Sequence, residues 1–573
     1  MALKIRLYGL LFVLLTNGLI HEGKAQSNYD PAYAEQAGRL SESLVVFTDR
    51  DIYVVNENIR FSAVFYSGLT ALHSEGSKVL YVELVNSGGN ALSDAKYPIT
   101  GNRSAGYLSI PSTLLAGQYY LRCYTRWMRN FGPRSYRYVP LRILNPYTSE
   151  VEVSHEGSVN NPLINARPGS MAVSVSTELH AYRSGEMVEA EITLLKHISH
   201  LPYGCVSVVP EGAIDTASFL YSTDGDTGSD ELFRFNFIPE IHGMSISGAV
   251  IQQDSQQPIP DIRIYLSILG KDPSFFATYT GPEGKFLINI PSREGIQEML
   301  VVPDEQKGDS VDILIDNDFT TDPLPFQPEP FHLDQAEYPL ASRLSAQMQL
   351  QNTFMTRSGT DSAALDEPLL HLPFYGKPEI TVILDEFVNL PNLQEVIENL
   401  VPKVFISRRK GRFHFTLESE NPVTFLFPPL VLVDHIPVFD MEAIMAIPPS
   451  KIDRIEVIPE LYVRGSVKFG GIISIFSRQG DFAGIRLPDG SYFFDYSAFQ
   501  PALHPLEARL SGKGKIPDTR NTIFWMDHLE LYRDRPVKIS FRAPSLPGKY
   551  LILIRGISQD GNPESGLNRF EVK

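Results

Sequence analysis

Cysteine, surplus positive charge and long apolar runs are all scarce in this chain, and each shortage removes a class of protein. Cys123 and Cys205 are the only cysteines, too few for a disulfide scaffold or a cysteine-rich zinc site. Lys and Arg number 50 against 67 Asp and Glu, a formal charge of −17. That balance argues against nucleic acid or an anionic membrane surface as the main partner. Beyond the N-terminal residues no charge-free apolar stretch approaches the ~20 residues that span a bilayer. What is abundant points elsewhere. Pro 42 and Gly 41 interrupt the chain often, favouring short strands and turns over long helices. With 43% hydrophobic and 11% aromatic residues it can bury several cores, and 573 residues allow about three to five domains. The expected class is mainly β, acidic and multi-domain.

The N-terminus carries an address. Lys4 and Arg6 precede the apolar run Leu7 to Leu15, and Gly23-Lys24-Ala25 follows. This charged, apolar, small-x-small order is that of a secretory signal peptide, residues 1–25, cleaved before Gln26. Its removal takes three cations and one anion, leaving the mature chain near −19. No cysteine follows the cleavage region, which argues against a lipid anchor. Export would allow Cys123 and Cys205 to pair, but they fall in different expected domains, and two buried free thiols are expected.

Residues 26–42 form an N-terminal segment, and the body then reads as a string of β modules. Leu44 to Phe47, Ile59 to Phe65, Val79 to Leu84 and Tyr119 to Tyr124 are β-branched and aromatic runs separated by turn-prone residues at sandwich spacing. A weak repeat is visible. Tyr53-Val-Val-Asn-Glu57 leads into Ile59 to Ala63, and Tyr182-Arg-Ser-Gly-Glu186 leads into Val188 to Ile192. The run Thr48-Asp-Arg-Asp-Ile-Tyr53-x-x-x-Glu57 resembles the opening strands of bacterial macroglobulin-like domains. Two tandem sandwiches of that kind are expected at 43–147 and 169–240, joined by an Asn, Gly, Ser and Pro-rich linker at 148–168. Gly-anchored strands from Ile246-Ser-Gly248, the strand Ile262 to Ser267 and a hairpin closed at Gly284 make a further small sandwich at 241–316. It resembles a carboxypeptidase regulatory-like domain, with Gly281 where an Asp is common. A linker containing a helix over Leu344 to Met355 is expected at 317–378.

Segment 379–484 is the most informative. Asn392 with Glu395 forms a capping box, Leu393, Val396, Ile397 and Leu400 lie on one helical face, and Pro402 ends the run. A hairpin with the basic turn Arg408-Arg409-Lys410-Gly-Arg412 follows, then Pro429 to Pro437, a short helix Met441 to Ile447, and two strands, Ile452 to Ile458 and Gly471 to Phe476. Three stretches resemble the plug domain of TonB-dependent outer-membrane receptors. They are Pro-Leu-Val-Leu-Val-Asp434-His435-Ile-Pro437-Val, Ile-Asp-Arg-Ile-Glu456-Val, and Phe-Gly470-Gly471-Ile-Ile-Ser-Ile. His435 stands where that family usually has Gly, and no TonB-contacting segment is evident after the signal peptide. The 89 residues after Gly484 cannot supply a 22-stranded barrel, which needs roughly 200 residues in strands alone. A linker at 485–516 and a last Ig-like or macroglobulin-like β domain at 517–573 complete the expected order.

Chemistry is sought and no constellation emerges. Neither Cys123-Tyr-Thr-Arg126 nor Cys205-Val-Ser-Val208 supplies the Cys-x-x-Gln of a thioester trap. His504-Pro-Leu-Glu507 has a zinc-ligand spacing in a Pro-rich linker, and His197-Ile-Ser-His200 reads as a solvated loop. Asp224 to Glu231 is acidic enough for Ca²⁺ but has Phe235 where a bidentate Glu belongs. No catalytic, cofactor or metal residues are therefore assigned. The resemblances imply an exported, non-catalytic protein of the outer membrane that binds or scaffolds envelope components, with a β-barrel or other envelope protein as partner. The candidate contacts are Arg408, Arg409, Lys410 and Arg412. Capture of a soluble glycan or peptide at the cell surface is the alternative.

Overall fold

The computed structural model describes residues 42–67, 76–152, 164–195, 198–217, 220–223, 236–304, 311–326, 331, 333–357, 373–487, 489–502 and 518–573. The signal peptide, the acidic segment at 224–231 and His504-Pro-Leu-Glu507 lie outside them.

The first sandwich contains β1 (Glu42–Thr48), β2 (Ile52–Val54), β3 (Asn58–Ser67), β4 (Val79–Val85), β5 (Ala91–Pro98), β6 (Arg103–Ser109), β7 (Gly117–Tyr124) and β8 (Arg137–Leu144). They form a three-stranded sheet, β1-β3-β6, and a five-stranded one, β2-β8-β7-β4-β5. Every residue of β4 is buried, so the strand must be covered on both faces. Its outer cover comes from a stretch expected to be linker. Phe319 meets Tyr81 edge-on at 5.5 Å, and Phe326 packs on Tyr120 and Tyr138 at 4.2 and 4.8 Å. Beneath this cover the fully buried Arg122 donates from Nε to Glu83 at 2.8 Å.

The second sandwich corrects the expected domain order. Strands Val173–Thr177, Ala181–Tyr182, Met187–Leu194 and His200–Pro210 do not close a domain by 240. Met187–Leu194 pairs with Val537–Arg542, and His200–Pro210 is flanked by Phe524–Tyr532 and Gly548–Ile557. The described strands between Ser170 and Pro210 and those between Phe524 and Val572 are thus two parts of one sandwich. A strand that alternates exposed and buried, as Met187–Leu194 does, needs a sheet and a facing layer, and here the C-terminal strands supply both.

The two sandwiches repeat one set of turn and corner bonds. In the first, Tyr53 Oη accepts from Arg50 N at 3.1 Å and Glu57 Oε2 from Val54 N at 2.7 Å. In the second, Tyr182 accepts from Leu179 N at 3.0 Å and Glu186 from Arg183 N at 2.7 Å. Left-handed Asn56 and Gly185 then donate to Ile110 and Ala543, each at 3.0 Å. Tyr119 Oη donates back to Leu115 O at 2.9 Å, as Tyr550 does to Leu546 O at 2.8 Å, a tyrosine corner in each copy. The pairing order also matches, because β2 runs parallel to β8 as Ala181–Tyr182 runs parallel to Pro563–Val572. The hairpin connection at 86–90 in the first copy corresponds in the second to everything between Pro210 and Phe524.

That insertion holds a sandwich and an α+β module. Its sandwich packs the sheet Lys285–Asn289, Ser245–Gln252, Val311–Ile315 against Ser274–Tyr279, Arg263–Ile268, Ile296–Pro303, Tyr492–Ser497. The last strand falls in the expected linker 485–516 and is recruited from beyond the α+β module. The helix is longer than expected, Tyr338–Arg357, and buries Leu344 and Met348 in the core shared by the first sandwich and the inserted one. Cys123 and Cys205 are both buried and free.

Candidate functional site

The α+β module is built around a five-stranded sheet in the order Ile380–Ile383, Ile452–Ile458, Ile472–Ser477, Leu430–Val433, Ile436–Pro437. Its first helix, Leu393–Leu400, forms as the capping pattern predicts. Asn392 Oδ1 accepts from Glu395 N at 2.9 Å, and Leu393, Val396 and Ile397 are buried. The second helix is capped by Asp440 and ends at Met445, two residues short of the expectation.

Four of the six motif residues explain a turn or a close approach. Asp434 and His435 have φ of 46° and 69° and link Leu430–Val433 to Ile436–Pro437 by a two-residue turn. Tight hairpins of this kind need positive φ at both central residues. Asp434 is anchored from outside the turn: its carboxylate accepts from Ser477 N at 2.8 Å, Ser477 Oγ at 2.6 Å and Phe482 N at 2.9 Å. Gly470 has no room for a side chain, since a Cβ would stand 2.1 Å from Phe427 O. At Gly471, with φ of 100°, a Cβ would meet Ile458 O at 2.5 Å. Pro437 is buried in the edge strand, opposite Leu432.

Glu456 and His435 are linked through Arg454 and Phe476, and Tyr375 and Phe374, which the sequence did not suggest, join them. Buried Glu456 accepts from Tyr375 Oη at 2.6 Å and from Arg454 Nε at 2.8 Å, and Arg454 lies over Phe476 at 3.7 Å. The half-buried His435 ring lies 5.1 Å from Phe476 and 6.1 Å from Phe374. Burial lowers its pKa below the ordinary histidine value, against the opposing pull of Asp434 and Glu456. Its backbone carbonyl accepts from Ser267 Oγ of the inserted sandwich at 3.0 Å. The two inserted units thus share a core, with the rings of Tyr265 and Phe275 meeting those of Phe439 and Phe469 in tilted and edge-on contacts across the junction. Arg464 donates to Phe275 O at 2.6 Å to close it.

The basic hairpin is exposed as expected. Val404–Arg409 pairs with Arg412–Leu417 as an isolated two-stranded ribbon. Phe413, Phe415 and Leu417 face inward, whereas Arg408, Arg409, Lys410 and Arg412 are all exposed. Lys410 and Gly411, with φ of 51° and 81°, make the turn, and Arg408 stacks on Phe413 at 4.1 Å. None of the four cations forms an ion pair with a described residue.

Sequence reasoning missed a second polar cluster, where the Thr48 to Glu57 run meets residues near the start of the C-terminal strands. Arg50 bridges to Glu57 at 3.1 Å and donates to Thr522 Oγ1 at 2.8 Å, while Thr522 donates to Asp49. Asn521 Nδ2 donates to Glu57 Oε1 at 2.7 Å and to Leu344 O of the long helix at 3.0 Å. Asp49, Arg50, Glu57 and Asn521 are all buried. This cluster joins both sandwiches and the helix. A signal was present in the sequence: Leu115-Ala-Gly-Gln-Tyr119 and Leu546-Pro-Gly-Lys-Tyr550 repeat the tyrosine corner and mark the C-terminal strands as the second half of a copy. His200 is likewise engaged locally, through Glu530 at 2.9 Å and a stack on Tyr532 at 4.3 Å. Among the described residues no group of three metal-ligating side chains converges, and no helix is long and apolar enough to cross a membrane.

No protein-family model and no curated protein matches this chain. Among solved structures it is similar to native Escherichia coli alpha-2-macroglobulin, at 9% identity and a TM-score of 0.23, over 93% of this chain and 40% of that one. It is also similar to Salmonella alpha-2-macroglobulin reacted with methylamine, at 9% identity and 0.23, over 93% and 39%. Latent PorU from Porphyromonas gingivalis matches 48% of this chain and 34% of its own, at 9% identity and 0.15. The chain therefore spans about two-fifths of the length of the two macroglobulins. Its class, mainly β with several sandwiches, rests on its own strand pairing.

Proposed function

We propose that this chain is a non-catalytic, exported protein of the outer membrane that docks or scaffolds another envelope protein, a β-barrel foremost, through its α+β module. The observation that carries this reading is the contrast between engaged and free charge. The polar groups of the motifs, from Asp49 and Glu57 to Asp434 and Glu456, are consumed in internal bonds. The hairpin Arg408 to Arg412 instead presents its cations outward on a chain of net charge −17. Resemblance of 379–484 to a receptor plug, and the signal-peptide pattern of residues 1–25, support an outer-membrane setting. The resemblance of 241–316 to a carboxypeptidase regulatory-like domain and of the two sandwiches to macroglobulin-like domains speaks to fold and not to function.

The test is in-cell crosslinking of a tagged full-length copy, followed by mass spectrometry of outer-membrane fractions. One β-barrel protein recovered at near-equal amounts is the expected result. A protein found free and monomeric in the periplasm, with no co-purifying partner, would overturn the proposal in favour of soluble-ligand capture.

A further inference from the structure

The ribbon Val404–Arg409/Arg412–Leu417 has a defined outward face. Register pairs Phe405 with Thr416, Ser407 with His414 and Arg409 with Arg412, and opposed residues share a face. The other face, with Val404, Phe413, Phe415 and Leu417, is buried. On the outward face Phe405 is 55% exposed, and His414, Arg409 and Arg412 are exposed. The edge of Arg412–Leu417 is partly capped, because Phe413 N donates to Glu442 Oε1 at 3.0 Å. No described strand pairs with the edge of Val404–Arg409. An unpaired edge is a template for another strand.

We infer that this edge accepts an extended acidic segment of the partner protein as a third strand. The inference rests on the docking reading above and supplies the chemistry of recognition. Charge complementarity chooses the occupant. Arg409 lies on the strand that would take the addition, with Arg412 directly opposite and Lys410 in the turn, and none is neutralised by a described carboxylate. Arg454 and Arg478 of the same module, in contrast, both pair with acids, Glu456 and Asp385. Phe405 and Arg409 are four residues apart on one face of a strand, so side chains of period 2 place them in line. The matching segment carries an apolar or aromatic residue and, four positions away, Asp or Glu. Backbone pairing supplies attachment, and the carboxylate fixes register and direction.

The test uses the full-length protein and fluorescein-labelled ten-residue peptides in an extended, Thr-rich background. One peptide has Tyr and Glu four apart, a second has Lys for Glu, and binding is read by anisotropy at low and moderate salt. The Glu peptide is expected to bind and to weaken with salt. The Lys peptide is expected to bind at least about tenfold more weakly, and Arg409→Glu/Arg412→Glu to lose about tenfold for the Glu peptide while gaining for the Lys peptide. Phe405→Ser, on an exposed position, should weaken both. Equal binding of the two peptides, no effect of the charge reversal, or binding of anionic phospholipid vesicles in place of peptide would overturn the inference. If crosslinking still recovers the same envelope partner from the charge-reversed variant, docking stands and this surface is excluded. If wild type recovers none while the peptide preference holds, docking fails and the ribbon remains an acidic-strand site.

Discussion

Glu57 and Glu186 occupy the same place in the two copies of the sandwich, and substituting each by Gln separates what the repeat needs from what the junction needs. Both accept from the amide three residues back at 2.7 Å. Glu186 is exposed and does little else. Glu57 is buried, pairs with Arg50 at 3.1 Å and accepts from Asn521 at 2.7 Å. Gln at 57 keeps the shape but removes the charge, and it turns one acceptor into a donor facing Asn521, Arg50 or Val54 N. Removing one partner of a buried pair costs about 3–5 kcal/mol. An exposed, locally bonded carboxylate is worth about 1 kcal/mol or less. Glu57→Gln should therefore lower stability by about 3 kcal/mol more than Glu186→Gln. Urea unfolding measures the difference, and hydrogen exchange should show new opening at 519–523 and 340–348 for Glu57→Gln alone. Equal losses in the two variants, or exchange unchanged at the junction, would refute the reasoning.

The remaining predictions address the turns, the corners and two titrations. Tyr119→Phe should cost about 1 kcal/mol by chemical denaturation and Tyr550→Phe more, because Tyr550 Oη also accepts from Arg343. Gly470→Ala should destabilise the α+β module by about 3 kcal/mol or more, since its new Cβ meets backbone rather than a yielding side chain; limited proteolysis of 379–484 reports it. His435 has a pKa lowered by burial, so its neutral form is favoured by the fold. Stability should fall as pH drops below about 6.5, and His435→Asn, which tolerates the left-handed turn, should flatten that slope in Tm measured against pH. Asp51 works in the opposite sense. Burial raises its carboxyl to about 6, so the stability it lends is present at low pH and lost as pH rises through about 6. Asp51→Asn should then raise Tm at pH 7.5 and change little at pH 4.

Local structure was legible where local chemistry decides it. The Asn392 cap and the Lys410-Gly411 turn are each settled within a few residues, whereas the anchoring of Asp434 by Ser477 is not. Long-range pairing was not. Met187–Leu194 and Val537–Arg542 are neighbours in the sheet, yet strand periodicity carries no information about which strand comes next to which. Phe319, Leu324 and Phe326 read as linker because Pro and Asp surround them. The counter-signal lay in β4, whose Val79 to Val85 is apolar on both faces apart from Glu83 and so demands a second cover. Phe374 beside His435 and Tyr375 bonded to Glu456 come from before the first strand of the module, and no spacing in the motifs points to them. The basic hairpin tip was visible because exposed charge at a two-residue turn needs no tertiary context.

The claim that the α+β module is the docking face is tested most directly by a photoreactive phenylalanine placed at position 409 in cells, with position 186 as the control. The account predicts an adduct at 409 with an outer-membrane protein, through an acidic segment of that protein, and none at 186. Adducts at 186 and not at 409, or none at either in outer-membrane fractions, would contradict it.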